Sequence, residues 1–253
     1  MSADPLGRAR ALLGAAARAV VLTGAGVCAE SGVPTFRGAG GLWKRFRPED
    51  LATPEAFARD PRLVWEWYEW RRGLVRGCAP NPAHRAIAAW MARESGVTLV
   101  TQNVDDLHER AAREAGGDLD GPPRLLKLHG SIFHARCTRC AHRSRLEKAV
   151  DATSEATLPR CPACRSLLRP DVVWFGESLP EAVLGAAFEA AAECEVCLVV
   201  GTAGAVYPAA AVAHEARSAG APLIVVDPGP TGYDATADLR IIAPAGEVLP
   251  LIL

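Results

Sequence analysis

Short apolar runs recur along the chain, and glycine or a polar residue follows directly after each of them. Strands that are buried on both faces of a parallel sheet have this composition. Five runs are therefore predicted as buried parallel strands: Ala19–Thr23, Val97–Thr101, Leu125–Leu128, Val196–Val200 and Leu223–Val226. Helical patterns lie between several of them, at His84–Glu94, Asp106–Ala115 and Ala209–Ala219. This alternation predicts a doubly wound, parallel α/β sheet.

Residues that can carry chemistry stand just after the predicted strands. In a doubly wound sheet, ligands bind beyond the carboxyl ends of the strands. We therefore expect one pocket to collect residues that are far apart in the sequence, namely Gly24, Gln102, Asn103, His129, Gly201, Thr202 and Asp227.

Composition narrows the class of protein. The chain has 253 residues, 49% of them hydrophobic, and a net charge of −1. It is long enough to bury one large core, and it shows no electrostatic footprint for nucleic acid or a membrane surface. No apolar run is long enough to span a bilayer. Asp4 and Pro5 predict a helix start rather than a transit peptide, and we expect a cytoplasmic protein.

The cysteines predict a metal site. Eight cysteines in a chain without a recognisable signal peptide favour a reducing compartment, and metal binding over disulfides. Cys137-x-x-Cys140 and Cys161-x-x-Cys164 are separated by twenty residues, a spacing typical of structural zinc. The alternative is four unrelated cysteines. We predict one structural Zn²⁺ per chain, with no open position for catalysis.

The first predicted strand runs into a glycine-rich turn. Gly24-Ala25-Gly26, with Ala29 in the third small position, has the layout G-x-G-x-x-A of a dinucleotide-binding turn. Such a turn approaches a pyrophosphate, and the following helix N-terminus offers free N–H groups to it. The chain then breaks at Pro34, so the usual hydride-transfer arrangement is not expected.

The stretch GAGVCAESGVPTFRG, residues 24–38, closely resembles the cofactor loop of the sirtuins, the NAD-consuming protein deacylases. The resemblance recurs in the family's order and covers nearly the whole chain. It includes the cysteine set and the segments Gln102–Asp105, Leu128–Ser131, Arg169–Glu177 and Gly201–Thr202.

Two segments interrupt the alternation of strands and helices. Residues 38–80 are aromatic and helical in pattern, and residues 131–173 carry the paired cysteines. The resemblance implies that both insertions form a small helical and zinc-ribbon domain. Residues 1–37, 81–130 and 174–253 are then expected to form the Rossmann-like, NAD-binding domain.

The resemblance also implies a mechanism. The carbonyl oxygen of an acyl-lysine attacks C1′ of the nicotinamide ribose, and nicotinamide leaves. His129 then acts as general base on a ribose hydroxyl, and hydrolysis yields lysine and an O-acyl-ADP-ribose. A histidine suits this role because its pKa lies near working pH.

Residue roles follow from matching the family's motifs. Asn103 and Asp105 match residues that bind the nicotinamide ribose and carboxamide, although both could simply cap the following helix. Gln102 matches a ribose contact, and Phe36 matches the aromatic side chain that shields the reactive face. The full cofactor set is Gly24, Ala25, Gly26, Glu30, Thr35, Phe36, Arg37, Trp43, Gln102, Asn103, Asp105, Gly201, Thr202, Asp227 and Ala245, and the implied substrate contacts are Val173, Phe175, Gly176 and Glu177.

Three positions depart from the usual family pattern. Ala203 replaces a serine near the adenosine half, and Asp227 replaces an asparagine but can still accept ribose hydrogen bonds. Cys28 stands where relatives usually carry serine. Its thiol could be acidified at a helix N-terminus, or it could simply fill space.

Tyr68 and Arg71 are three residues apart in an aromatic helical stretch and share one face. A guanidinium and a phenol can bind a carboxylate through charge-assisted hydrogen bonds. The pair resembles the Tyr-x-x-Arg signature of class III sirtuins, which implies removal of succinyl and malonyl groups. The alternative is an aromatic core stripe beside solvated arginines.

Other functions stay open at this point. They are plain deacetylation, protein ADP-ribosylation with the same cofactor, and a zinc-ribbon binding module with a relic nucleotide pocket. The expected partners are acylated lysines in proteins or peptides, with neither nucleic acid nor membrane, and the expected state is a monomer.

Overall fold

The computed structural model describes residues 4–35, 47–117 and 124–253. In chain order the elements are α1 (Pro5–Ala15), β1 (Ala19–Thr23), α2 (Gly26–Ala29), α3 (Pro48–Leu51), α4 (Pro54–Arg59), α5 (Pro61–Gly77), α6 (Pro82–Arg93), β2 (Val97–Thr101), α7 (Leu107–Glu114), β3 (Leu125–Lys127), β4 (Gly130–Cys137), β5 (Arg143–Arg145), a 3₁₀ turn (Glu155–Thr157), β6 (Leu168–Val172), α8 (Glu181–Glu193), β7 (Val196–Val200), α9 (Ala211–Ser218), β8 (Leu223–Val226), β9 (Leu239–Ile241) and α10 (Ala245–Ile252).

The main sheet has six parallel strands in the order β3-β2-β1-β7-β8-β9. Its centre is β1, in which Val21 pairs with Leu99 of β2 and Leu198 of β7. All five predicted strands are present, and β3 ends one residue earlier than predicted, at Lys127. The predicted doubly wound α/β class is confirmed.

Helices cover both faces of this sheet. Alternate residues of a strand point to opposite faces. Val21 and Leu198 therefore pack with α1, α6 and α10, whereas Leu22 and Val199 pack with α8 and α9. The central strands β1, β7 and β8 are apolar on both faces apart from Thr23, which explains why they read as hydrophobic runs.

The sequence specifies several helix starts through a capping residue followed by proline. Asp4, Thr53, Asp60 and Asn81 each accept a backbone N–H of the helix that follows, and each is followed by proline. Proline fits there because the first helical N–H needs no intrahelical partner. The predicted start of α1 at Asp4-Pro5 is confirmed. Within the described ranges, none of the helices has both the length and the apolar character needed to cross a bilayer.

A second unit stands beside the sheet. It contains an antiparallel sheet in the order β5-β4-β6 and the helices α3, α4 and α5. Trp65 of α5 is buried and donates its Nε1–H to the carbonyl of Leu168 in β6 at 2.9 Å. Both sequence insertions thus contribute to one core, in agreement with a separate small domain, whose bounds stay a prediction.

Candidate active site

A cavity of about 430 Å³ opens at the carboxyl ends of β1, β2, β7 and β8 and reaches α5 of the second unit. His129, two residues after the end of β3, lies on its wall. The other predicted residues that line it are Gly24, Ala25, Gly26, Thr35, Tyr68, Arg71, Gln102, Asn103, Val173, Phe175, Gly176, Glu177, Gly201, Thr202 and Asp227. The expectation that one pocket collects the strand-end residues is confirmed.

The two glycines of the first turn are needed for a close approach between two strand ends. A Cβ on Gly24 would lie 2.7 Å from Thr202 Cβ, and a Cβ on Gly26 would lie 2.7 Å from Gly201 Cα. Gly26 N–H also donates to the carbonyl of Gly201 at 2.8 Å. Gly24 and Gly26 therefore let the β1 turn lie against the end of β7 and shape the cavity floor.

The turn and the N-terminus of α2 offer fewer free N–H groups than predicted. The helix α2 is a single turn, and its amides already have acceptors: Val27 N–H donates to Gly24 O at 3.1 Å and Cys28 N–H to Ala25 O at 3.2 Å. Of the amides from Gly24 to Cys28, that of Ala25 is the one without an acceptor among the described residues. The backbone therefore offers an anion one donor here.

The His129 ring is held in one tautomer. Its Nδ1 lies 2.8 Å from the carbonyl oxygen of Gln102, which can only accept, so Nδ1 carries the proton. Nε2 then keeps a lone pair. Burial lowers the pKa of His129 below its ordinary value and outweighs the opposite effect of the Gln102 bond. The ring is therefore a neutral proton acceptor at pH 7.

Two amide side chains connect the strand ends around the cavity. Gln102 Nε2 donates to Thr202 Oγ1 at 3.0 Å, and Asn103 Nδ2 donates to the carbonyl of Gly24 at 3.0 Å. Asn103 is buried and makes no cap on α7, so the capping alternative is wrong for this residue. Its side chain instead fixes the β2 end against the glycine turn.

Tyr68 and Arg71 lie on the inner face of α5 and are 3% and 7% exposed. The Arg71 Cζ lies 4.9 Å from the ring centroid of Trp67 and 5.7 Å from that of Tyr68. Burial lowers the pKa of Arg71 and raises that of Tyr68. The alternative of solvated arginines beside a core stripe is wrong for Arg71, because its guanidinium is buried in the cavity wall.

The four predicted zinc ligands form a cluster. The Sγ atoms of Cys137 and Cys164 lie 3.4 Å apart, those of Cys140 and Cys161 lie 3.6 Å apart, and those of Cys140 and Cys164 lie 3.7 Å apart. A tetrahedral zinc with Zn–S bonds of about 2.3 Å needs sulfur separations of about 3.8 Å. The donor set therefore fits one structural Zn²⁺, as predicted.

Comparison with known proteins decides the family. The profile of the Sir2 family matches residues 24–208. This chain belongs to the Sir2 family. NAD-dependent protein deacylase 1 of Pseudomonas aeruginosa is 53% identical over 247 residues, covering 96% of this chain and 95% of that protein. NAD-dependent protein deacylase of Thermococcus kodakarensis is 49% identical over 251 residues, covering 98% and 94%. A solved Sir2 homologue in complex with NAD has a TM-score of 0.86 and 43% identity, covering 97% of this chain and 92% of that one.

Some predicted cofactor residues of this sirtuin lie away from the cavity wall. Glu30 accepts the N–H of Gly246 at 2.7 Å, and Ala245 is buried at the start of α10, so these residues join α2 to α10. Asp105 is buried and accepts the Leu107 N–H at 3.1 Å, so it does act as a helix cap. Phe36, Arg37 and Trp43 lie outside the described residues.

A buried cluster beneath the sirtuin cavity was not predicted. The rings of His84 and His108 lie 4.7 Å apart. His84 Nε2 is 3.6 Å from Cys28 Sγ, and His108 Nε2 is 3.1 Å from Thr23 Oγ1. Burial lowers the pKa of His84 to about 4 and lowers the pKa of His108 well below its ordinary value. Both rings are therefore neutral. The sequence signal for His84 is its place three residues after the helix cap Asn81, with which it forms a capping box.

Cys28 belongs to this cluster and is not an acidified thiol. Its Sγ lies 3.4 Å from Asp105 Oδ2 and accepts from Asn103 Nδ2 at 3.1 Å. Burial, followed by the Asp105 charge, raises the pKa of Cys28 well above its usual value. The thiol therefore serves as a small hydrogen-bonding core group, which confirms the simpler of the two interpretations.

Glu177 organises the loop after β6. Its carboxylate accepts from Arg169 Nη1 and Nη2 at 2.6 and 2.8 Å, from Arg136 Nη2 at 2.9 Å and from the Trp174 N–H at 2.9 Å. Burial would raise the pKa of Glu177, but these bonds and charges outweigh it and lower the pKa. The carboxylate is saturated with protein donors, and it shapes the cavity by holding the loop.

Proposed function

We propose that this sirtuin is an NAD-dependent protein-lysine deacylase with a preference for succinyl and malonyl groups. Curated relatives are named NAD-dependent protein deacylases, which supports the general reaction. The observation that carries the acyl preference is the buried pair of Tyr68 and Arg71 in the cavity that also holds His129.

The cavity residues fit NAD. When bound, NAD supplies the ADP-ribose unit that accepts the acyl group. Ala25 offers an N–H for a phosphate, and Asp227 at the end of β8 can accept from a ribose hydroxyl. The amide side chains of Gln102 and Asn103 line the same cavity as His129. We assign the cofactor to the part of the cavity between the glycine turn and β8.

His129 is assigned as the general base. Its tautomer leaves Nε2 unprotonated, and its lowered pKa keeps that form populated at neutral pH. Val173 donates its N–H to the His129 carbonyl at 3.0 Å, so the base is tied to the start of the loop that carries Phe175 and Gly176. We assign that loop to the acyl-peptide, beside the base.

The acyl preference follows from charge. A succinyl or malonyl group brings a carboxylate into a largely apolar site, and an unpaired carboxylate there is costly. Arg71 supplies a cation and Tyr68 a hydroxyl on the same helical face. An acetyl group brings no negative charge to these two side chains. Acidic acyl groups should therefore be the better substrates.

The test is a set of peptides that differ only in the acyl group on one lysine. With NAD present, we expect kcat/KM for succinyl and malonyl peptides to exceed that for the acetyl peptide by more than tenfold. Mass spectrometry of the products separates the alternatives, because deacylation gives free lysine and O-acyl-ADP-ribose whereas ADP-ribosylation gives a modified acceptor. Equal rates for all acyl groups would be consistent with NAD-dependent deacylation but would reject the preference for succinyl and malonyl groups.

The compartment, the partners and the oligomeric state of the enzyme are also proposals. None of the eight cysteines, which all lie within the described residues, forms a disulfide, and this agrees with a reducing compartment such as the cytoplasm. Acylated lysines of proteins are the proposed partners, and a monomer is the proposed state.

A further inference from the structure

The acyl end of the cavity contains a hydrogen bond between two side chains that are far apart in the sequence. Trp174, just after β6, donates its Nε1–H to the hydroxyl oxygen of Tyr68 in α5 at 2.9 Å. Both side chains are 3% exposed, and both line the cavity. The bond links the loop beside the reacting site to the helix that carries Arg71.

The direction of this bond determines what Tyr68 can do. An indole N–H can only donate, whereas a phenol can accept and also donate its own proton. Trp174 therefore donates to a lone pair of the Tyr68 oxygen and cannot accept the phenolic proton. Among the described residues, no other group bonds to the Tyr68 hydroxyl. Its proton is left to donate to an acceptor inside the cavity.

Trp174 itself is firmly held. The Arg169 guanidinium carbon lies 3.4 Å from the centroid of its ring, and the ring of Phe57 lies 5.5 Å away on a tilted plane. Its backbone N–H donates to Glu177, which also binds Arg169. Because ring and backbone are both fixed, the indole N–H has little freedom to leave Tyr68.

We propose that Trp174 is a positioning residue for acyl selectivity: its indole N–H orients the Tyr68 hydroxyl so that this hydroxyl donates to the carboxylate of an acidic acyl-lysine. The inference rests on the proposed function, since it adds a residue to the same acyl site. A phenylalanine at this position would keep the packing against Arg169 and Phe57 but lose the donor. Hydrogen bonding, rather than ring size, is then the reason for a tryptophan here.

The experiment is a double-mutant cycle with Trp174→Phe and Tyr68→Phe. The quantity compared is the ratio of kcat/KM for succinyl-peptide to kcat/KM for the acetyl-peptide of the same sequence. Loss of one neutral hydrogen bond changes an equilibrium about three- to tenfold. We expect Trp174→Phe to lower the ratio by about this factor through a higher KM for the succinyl-peptide. In the Tyr68→Phe background, Trp174→Phe should lower the ratio no further.

Phe57→Leu is the matched control for packing, because it replaces the neighbouring ring while Arg169 and Glu177 still hold Trp174 and its indole donor in place. We expect its ratio to stay at the wild-type value. A wild-type enzyme without succinyl preference would refute the proposed function and this inference together. A wild-type enzyme with that preference, but with equal ratios in Trp174→Phe and wild type or full additivity in the double variant, would refute the inference alone.

A second measurement covers the case in which Trp174→Phe does not fold. The chain has six tryptophans, whose indole N–H protons give separate NMR signals in the folded protein. Tyr68→Phe should shift one indole N–H signal strongly, because it removes the acceptor of Trp174. If none of the indole signals moves, the bond does not exist in solution and the inference fails.

Discussion

His129 combines a fixed tautomer with a lowered pKa, so a single substitution tests its role. We expect His129→Ala to reduce deacylation by about 10²–10⁴-fold, the range for loss of a general base. Binding of ADP-ribose, measured by calorimetry, should remain within a few-fold of wild type. Turnover near the wild-type rate would reject the assignment.

The same residue sets the acid limb of the pH profile. Because burial lowers the pKa of His129 in the ligand-free protein, the neutral base persists below pH 6.5, and kcat/KM should fall only as the pH drops through this lowered pKa. Gln102→Ala is a useful control, because the ring bonds to the backbone carbonyl of residue 102. That variant should weaken cofactor binding while its acid limb stays at the wild-type position.

Arg71 is the residue on which acyl selectivity depends most. Arg71→Met removes the charge but keeps much of the apolar stem. Loss of one partner from a desolvated charge pair typically costs about 2–5 kcal/mol. Desuccinylation should therefore fall more than tenfold, mostly through KM, while deacetylation changes little. Tyr68→Phe should give a smaller loss of the same sign.

The matched control for Arg71 is Arg62→Met on the outer face of the same helix. Arg62 pairs with Glu66 at 2.9 Å, and its side chain is 41% exposed. We expect this variant to leave both activities unchanged. A parallel loss of desuccinylation and deacetylation in Arg71→Met would show that Arg71 is structural and that the class III interpretation is wrong.

At the scale of elements, the zinc cluster holds β4 and the turn before β6 together. The small sheet has few residues with which to bury a core, so the metal should contribute to its folding energy. We expect Cys161→Ser to bind less than one zinc per chain and to lower Tm by at least about 4 °C, since roughly 2 kcal/mol shifts Tm by about 4–8 °C in a chain of this size.

Cys194→Ser is the control for the zinc site. Cys194 is buried and free, and its Sγ donates to the Ala191 carbonyl at 3.2 Å, away from the four-cysteine cluster. This variant should keep one zinc per chain whatever its stability. Metal-free protein with an unchanged melting temperature would contradict a structural role for zinc.

The junction between β1 and β7 should tolerate no side chain at Gly26. An added Cβ would meet the backbone of Gly201 at 2.7 Å, and backbone cannot move aside as a flexible side chain can. Gly26→Ala should therefore cost about 1–3 kcal/mol of unfolding free energy. Gly14→Ala in α1 has open space and should instead gain up to about 1 kcal/mol.

Urea unfolding of the two alanine variants provides the measurement. A higher midpoint for Gly14→Ala and a lower midpoint for Gly26→Ala are the expected pair of results. If Gly26→Ala unfolds at the wild-type midpoint, the β1 turn has room to relax and the packing argument for this glycine is wrong.

At the scale of the whole molecule, the sequence predicts the main sheet well because its strands are buried on both faces. The strand that was not predicted is β9, which has only three residues, with Arg240 in the middle. A strand this short at the sheet edge carries no recognisable hydrophobic pattern.

The site residues that follow the strands were predictable, because parallel strands bring their carboxyl ends to one edge of the sheet. Contacts that depend on the exact packing of distant segments were not. The proximity of His84 to Cys28, the use of Glu30 by α10, and the bond between Trp174 and Tyr68 all join residues that no local pattern relates.

The pairing of β8 with β7 determines which cofactor should be used. It places Asp227 at the carboxyl end of β8, on the wall of the cavity, where its Oδ1 accepts the Gly229 N–H at 2.8 Å. Its other oxygen remains to accept from a ribose hydroxyl. A 2′-phosphate at that ribose would meet a carboxylate, and two like charges at 4 Å repel by up to about 4 kcal/mol near a protein surface. We therefore expect kcat/KM with NADP to be more than tenfold below that with NAD.

Asp227→Asn should narrow this gap, mainly by lowering KM for NADP, because it removes the charge and keeps an acceptor. Burial raises the pKa of Asp227, so the wild-type discrimination should also weaken as the pH falls toward this raised pKa. Asp238→Asn removes a charge near the amino end of β8, where Asp238 accepts the Leu223 N–H at 2.8 Å, and should leave the cofactor preference unchanged. Equal or better activity of the wild type with NADP would show that the adenosine ribose does not lie against Asp227.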